Sequence, residues 1–355
     1  MPEKNIYEKT VLLANNEKYK PVNKNVDFDL QNPWGIVRIG KTLWVNDNSS
    51  GGITHYNLKG IKLDPQFVTV PARLVEPPAA SGSPSGLVVN KTEGFPITNG
   101  SVTKPSTLVG CTEDGLLYGY NEEVDEENAI ITYTSPLPVN PDDFPSVYKG
   151  LVIFHNFLFV CNFGVGTIDV FDSDWNPQVE IGDALTDPNL PNNYGPFNII
   201  SFNNKLYVTY AQQDLEQHDD VRGVGNGFVN EITIKFNGLD TPDVKFNLLI
   251  NQGVLNSPWG LAVEPGNSCK SRGTLLVGNF GDGAINAFNF DGCLLATFKK
   301  DCCSNLFINN LWGLLTYKDR IYFTAGPAGE ADGILGILTQ KKIARCASDS
   351  DQDSD

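Results

Sequence analysis

The stretch Asn32-Pro33-Trp34-Gly35-Ile36-Val37, then Leu43-Trp44-Val45-Asn46-Asp47-Asn48, then Ile53-Thr54-His55-Tyr56, returns later in the chain almost unchanged. Its second copy reads Ser257-Pro258-Trp259-Gly260-Leu261-Ala262, then Leu275-Leu276-Val277-Gly278-Asn279, then Ile285-Asn286-Ala287-Phe288. Weaker copies start at Pro84-Ser85-Gly86, Tyr148-Lys149-Gly150, Pro196-Phe197-Asn198 and Leu311-Trp312-Gly313. The aligned positions 35, 86, 150, 198, 260 and 313 are 51, 64, 48, 62 and 53 residues apart. Each copy is three or four short apolar-alternating runs separated by Gly, Asn and Asp, the pattern of strands joined by tight turns. A repeat of this period reads as a propeller blade with loop insertions. The expected fold is therefore all-β: a six-bladed propeller of four-stranded antiparallel blades around a central channel.

The expected organisation is a polar arm over residues 1–25, the propeller over 26–340, and an acidic tail over 341–355. The tail ends in Ser348-Asp349-Ser350-Asp351-Gln352-Asp353-Ser354-Asp355, like charge without apolar anchors. Blade three is read as strands at 150–153, 157–160 and 167–171, with an outer strand after the turn Asp172–Pro177. Insertions concentrate at 91–107, 121–147, 176–195 and 212–227.

A formal charge of −16 argues against nucleic acid as a partner, since phosphate neutralisation needs clustered Lys and Arg. No apolar run reaches the length of a membrane span. The start, Met1-Pro2-Glu3-Lys4-Asn5, has no basic-then-apolar leader, which favours a cytoplasmic location over secretion. Seven Cys give no CxxC pair, so zinc has little support. A Cys269–Cys293 disulfide fits the topology, because both residues fall in loops at one end of blade five; free thiols fit equally well.

The sequence carries no GxSxG elbow, no P-loop and no HExxH, and His55, His155 and His218 are scattered. Strand direction alternates within a blade, so the loop after strand two and the loop before strand one open at one end. That end collects Asp47, Asn48, Glu113, Asp114, Asn162, Gln213, Asp214, Asn279, Asp282 and Glu330. Carboxylate and amide oxygens around an axis suit calcium, or hydrogen bonds to a sugar or lactone. Asp114-Gly115 and Asp282-Gly283 are also preferred hairpin turns, which gives part of this set a purely conformational role. Trp34, Trp259 and Trp312 are expected to be buried between blades.

Several longer segments match a known family. They are Asn32-Pro33-Trp34-Gly35, Thr112-Glu113-Asp114-Gly115, Thr167-Ile168-Asp169-Val170-Phe171-Asp172, Gly225-Asn226-Gly227-Phe228-Val229, Gly278-Asn279-Phe280-Gly281-Asp282-Gly283 and Tyr322-Phe323-Thr324-Ala325-Gly326-Pro327. Over about residues 25–340 the chain resembles six-bladed propellers related to NHL-repeat proteins, found as exported bacterial proteins and in giant viruses. That resemblance implies the fold and no particular activity. More distantly the chain resembles regucalcin- and gluconolactonase-type propellers. Those hold one calcium with a Glu, two Asn and an Asp, which carries over to Glu113, Asn162, Asn279 and Asp47.

Three functions follow. The first is a non-catalytic binding or scaffold propeller that recognises a small molecule, glycan or protein through its top face. The second is a calcium-dependent lactonase- or esterase-like hydrolase. The third is a structural component of a viral particle or surface layer. Absence of enzyme motifs favours the first.

Overall fold

The computed structural model describes residues 5–74, 81–140, 142–237, 240–265 and 273–341. Six antiparallel sheets follow one another along the chain, and their inner strands form a closed ring. These inner strands are Pro33–Ile39, Pro84–Val89, Tyr148–Phe154, Tyr194–Phe202, Pro258–Glu264 and Leu311–Tyr317. Five blades have four strands; blade one, for example, runs Pro33–Ile39, Thr42–Asp47, Gly52–Asn57 and Val68–Thr69. The chain is a six-bladed β-propeller.

In blade three the expected outer strand is replaced by a short helix, Val179–Asp183, packed on the third strand Thr167–Phe171. The cause is local. Asp172 Oδ1 accepts hydrogen bonds from the backbone N–H groups of Asp174 and Asn176, closing the turn tightly. Pro177, which follows, has no N–H to continue a ladder. The insertion at 91–107 carries its own hairpin, Pro96–Thr98 with Thr103–Pro105.

Residues 1–25, read as an arm outside the propeller, are instead built into it from Tyr7 onward. Tyr7–Ala14 is the outermost strand of blade six, paired antiparallel with its third strand, Ile334–Gln340. The polar composition misled, because the apolar residues are confined to the two ends of the strand, where Ile6 and Tyr7, then Leu12, Leu13 and Ala14, are buried. The strand also reaches blade five, where Tyr7 stacks on Phe298 at 3.9 Å and Asn5 Nδ2 donates to Thr297 O. One blade thus takes strands from both ends of the chain, and the ring closes. Of the tail over 341–355 only Lys341 is described, and Cys269 lies outside the described residues, whereas Cys293 carries an exposed thiol. No helix among the described residues is long and apolar enough to cross a membrane.

Every inner strand carries a β-bulge at the same height. The pairing slips between Pro33 and Ile36, Pro84 and Leu87, Tyr148 and Leu151, Pro196 and Asn198, Pro258 and Gly260, and Leu311 and Leu314. A bulge bends its strand and re-aims a side chain. Here it turns one residue per blade toward the axis. The glycine that follows lets the next blade approach: a Cβ on Gly35 would lie 2.8 Å from Leu87 N, and one on Gly313 would lie 2.6 Å from Trp34 O. Bulge carbonyls left out of their own ladder are met from the preceding blade. Asn46 Nδ2 donates to Gly86 O, Thr324 Oγ1 to Trp34 O and Asn198 Nδ2 to Trp259 O.

Deleting residues 1–14 removes the outermost strand of blade six and takes Ile6, Leu12 and Leu13 from the core. At about 1.5–3 kcal/mol per buried aliphatic side chain, the loss is at least about 5 kcal/mol. The expected outcome is a matching drop in the urea midpoint; an unchanged midpoint would show that the ring closes without this strand.

Candidate functional site

The six bulges present a ring of Trp34, Ser85, Lys149, Phe197, Trp259 and Trp312 to the axis. Immediately above it, the first residues after the second strands are Asn48, Glu113, Phe163, Gln213, Phe280 and Gly326. The aromatic members pack into one plug. Trp34 stacks on Trp312 at 3.5 Å, Phe280 stacks on the other side of Trp312 at 3.8 Å, and Trp259 meets both tryptophans edge-on at 5.7 Å. The tryptophans are buried as expected, but across the channel axis rather than between blades; contact between blades one and five requires crossing the ring.

Lys149 breaks the aromatic pattern. Its side chain is 2 % exposed and its ammonium lies 5.1 Å from the Trp34 ring centroid and 5.7 Å from that of Phe163. The Nζ donates to Glu113 Oε1 at 2.5 Å. From there a chain of polar contacts circles the mouth. Asn48 Nδ2 donates to Glu113 Oε2 at 2.7 Å, Asn32 Nδ2 donates to Asn48 Oδ1 at 3.3 Å and to Glu330 Oε2 at 2.9 Å, and Trp312 Nε1 donates to Asn32 Oδ1. The insertion between the second and third strands of blade four folds over this mouth. It brings Arg222 to 3.8 Å from Glu330 and 4.2 Å from the Phe280 ring, and Asp219 to 4.0 Å from Lys149. His218 Nδ1 lies 3.0 Å from Asp219 Oδ1; that contact raises the His218 imidazole above its ordinary value and lowers the Asp219 carboxyl. Burial raises the carboxyls of Asp220 and Glu330.

Of the ten residues expected at this end, the structure joins Asn48, Glu113 and Glu330 in one network. The others are bonded outside it. Asp47 Oδ2 accepts from Thr54 Oγ1, and burial holds its carboxyl well above the usual carboxylate range. Asn162 donates to Ser146 Oγ and Asp169 Oδ2, and Asn279 to Val254 O and Asp282 Oδ1. Asp114 Oδ2 accepts from the Arg73 N–H, Gln213 donates to Phe163 O, and Asp214 Oδ1 accepts from the backbone of His218 and Asp219. Asp282 Oδ1 also accepts from Ala284 N. For Asp47, Asn162 and Asn279 the reason is geometric: each is the last residue of its second strand, and the loop residue one position later is the one that faces the axis.

The set Glu113, Asn162, Asn279 and Asp47 therefore does not fit a calcium ion. Calcium needs six to eight oxygens converging on one point. Asp47, Asn162 and Asn279 are held in three separate blades, where Asp47 Oδ1 and Asn279 Oδ1 are left without a hydrogen-bond partner, and the carboxylate of the fourth already holds an ammonium. Lys149, Arg222, Asn32, His218, Asp219 and Asp220 were missed. Lys149 carried a signal: aligned on the repeat, it stands where four of the other five copies have Trp or Phe. Arg222 and Asp219 carried none, because an insertion has no repeat partner to compare.

No protein-family model matches the chain. Two uncharacterized proteins of Acanthamoeba polyphaga mimivirus do. One is 33% identical over 328 residues, covering 90% of this chain and 77% of the relative. The other is 33% identical over 339 residues, covering 90% and 84%. The chain belongs to their family. Among solved structures, a streptogramin B lyase superposes with a TM-score of 0.50 at 12% identity, covering 94% of this chain and 97% of that one. Regucalcin from Agrobacterium tumefaciens gives 0.51 at 12%, covering 87% and 91%. At such identity these similarities show the fold alone.

Glu113→Gln takes the carboxylate from a buried ammonium and is expected to destabilise the protein by about 3 kcal/mol, the usual cost of leaving a buried charge without its partner. Lys149→Met combined with Glu113→Gln should recover most of that loss in chemical denaturation. A double variant no more stable than Glu113→Gln would deny the pair its isolation from water.

Proposed function

We propose that this propeller is a binding module that engages a protein partner through its top face. The observation that carries this reading is where the exposed apolar side chains lie. Phe28, Leu74, Val139, Leu215 and Val224 are 76–96 % exposed, the most exposed large apolar side chains among the described residues. All five sit on loops at the mouth end, namely those leading into an inner strand or following a second strand. Apolar side chains gathered on one face of a soluble fold mark an interaction surface. Inside that rim lies the mouth, with the carboxylates of Glu113, Asp219, Asp220 and Glu330 against the cations Lys149 and Arg222. Together with the chain's charge of −16, this suits a partner segment that offers apolar side chains and a basic group.

The buried pair Lys149–Glu113 supports the same reading. An ion pair in place of a well-packed aromatic rarely adds stability, because desolvation offsets the attraction. A ring position given up to it serves recognition better than it serves the core.

A photo-crosslinking residue at Leu215 or Val139, against one at Ile61 on the opposite face, tests this in host-cell extract. Expected is one partner crosslinked from the top positions and lost when Phe28, Leu74 and Val224 are changed to Ser. Equal crosslinking from Ile61 would overturn the reading.

Metal-assisted hydrolysis is the second reading, favoured by Glu113, His218 and Asp219, whose ligand atoms all lie within 4.8 Å of one another. Against it, the Lys149 ammonium already lies between Glu113 and Asp219. A metal held by the native state alone raises the melting temperature by mass action. Excess calcium or zinc, compared with chelator, is expected to leave it unchanged. A rise abolished by Glu113→Gln would replace the binding reading with the hydrolytic one.

A further inference from the structure

Below the aromatic plug the channel is a different environment. It forms a cavity of about 550 Å³, inside the range of roughly 300–1,000 Å³ usual for small-molecule sites. Every blade contributes an aliphatic or small wall, through Ile36, Leu87, Leu151, Ile199, Leu261 and Leu314. Trp259 of the plug lines it, so the plug closes it toward the mouth. At the other end the wall continues past the inner strands to Lys91 and Pro265, and Val37, Val88, Ile200 and Leu315 are partly exposed. The cavity is therefore blind at the top and open on the lower face.

The side chains of this wall are mostly aliphatic, and two of its polar ones are already engaged. Asn198 Nδ2 donates to Trp259 O, and Thr316 Oγ1 donates to Val263 O at 2.7 Å. A sugar or other polyhydroxylated ligand would find few side-chain partners there. An apolar chain needs none, and a blind apolar cavity holds water poorly. Lys91 is the single charged residue of the described wall, and it stands at the open end. Among the described wall residues, this ammonium is the charged group that can select a head group.

We propose that the lower channel binds a single-chain amphiphile, with its apolar chain in the cavity and an anionic carboxylate at Lys91. This site shares no polar residue with the mouth, so it stands or falls independently of the top-face reading.

Titration of the full chain with dodecanoate, followed by Trp fluorescence and calorimetry, tests it, with dodecanol as the neutral-head comparison. Expected is saturable one-to-one binding of dodecanoate and several-fold weaker binding of dodecanol. Lys91→Gln should erase that preference. Val37→Trp and Val88→Trp, two separate changes at partly exposed wall positions, should each weaken dodecanoate at least tenfold, with thermal melts confirming that the variants fold. No saturable binding by the wild-type chain would overturn the proposal. So would binding that neither wall variant weakens, since it would place the chain elsewhere on the surface. Equal affinity for the two head groups would overturn the assignment of Lys91.

Discussion

The contact on which the rest of this structure depends is the approach of one inner strand to the next around the axis. At that height every inner strand bulges, and the residue after the bulge is Gly in five blades. A Cβ there would press into the neighbouring backbone, or into the neighbour's Asn198 at the Gly150 position. The bulge also leaves carbonyls without ladder partners, and Asn46, Thr324 and Asn198 donate to them from the preceding blade. Sterics and hydrogen-bond satisfaction thus act at one point, and both select the same ring.

That point also creates the mouth. A regular strand would send its side chains to the two neighbouring blades; the bulge sends one of them to the axis instead. Where that residue is aromatic, the six-fold geometry stacks it into the plug. Where it is Lys149, the plug gains a charge, and a carboxylate from the adjoining loop must answer it, because an unpaired ammonium among aromatic rings would be costly. Glu113 answers, Asn48 and Asn32 hold Glu113 and Glu330, and the network reaches Arg222. One departure from the repeat therefore organises charged groups from several blades.

The two ends of the channel consequently differ in chemistry. Above the plug lie paired charges within an apolar rim; below it lie aliphatic walls and one ammonium. The difference follows from loop placement. Long insertions leave from the top loops of several blades, and the inner strands below the bulge are short apolar runs facing their neighbours. Closure of the ring by Tyr7–Ala14 keeps both ends in register, since a strand from the start of the chain completes the last blade.

How much was legible in the residues can be read position by position. The repeat of Trp-Gly starts and Asn- or Asp-ended second strands determined the fold and the number of blades, because strand period and turn chemistry are local and are written in consecutive residues. The same locality put Asp47, Asn162 and Asn279 at the correct end of their blades. It could not say which way they point, since a shift of one residue moves a side chain from the face of a blade to the axis. Of the ten expected residues, Asn48, Glu113 and Glu330 joined the network at the mouth. The strand hidden in residues 7–14, the ammonium of Lys149 beside Glu113, and the insertion bearing Arg222 and Asp219 depend on segments far apart in the chain meeting in space. Pairing across such distances leaves no periodic trace in the sequence, so ring closure and the composition of the mouth were decided by the tertiary structure alone.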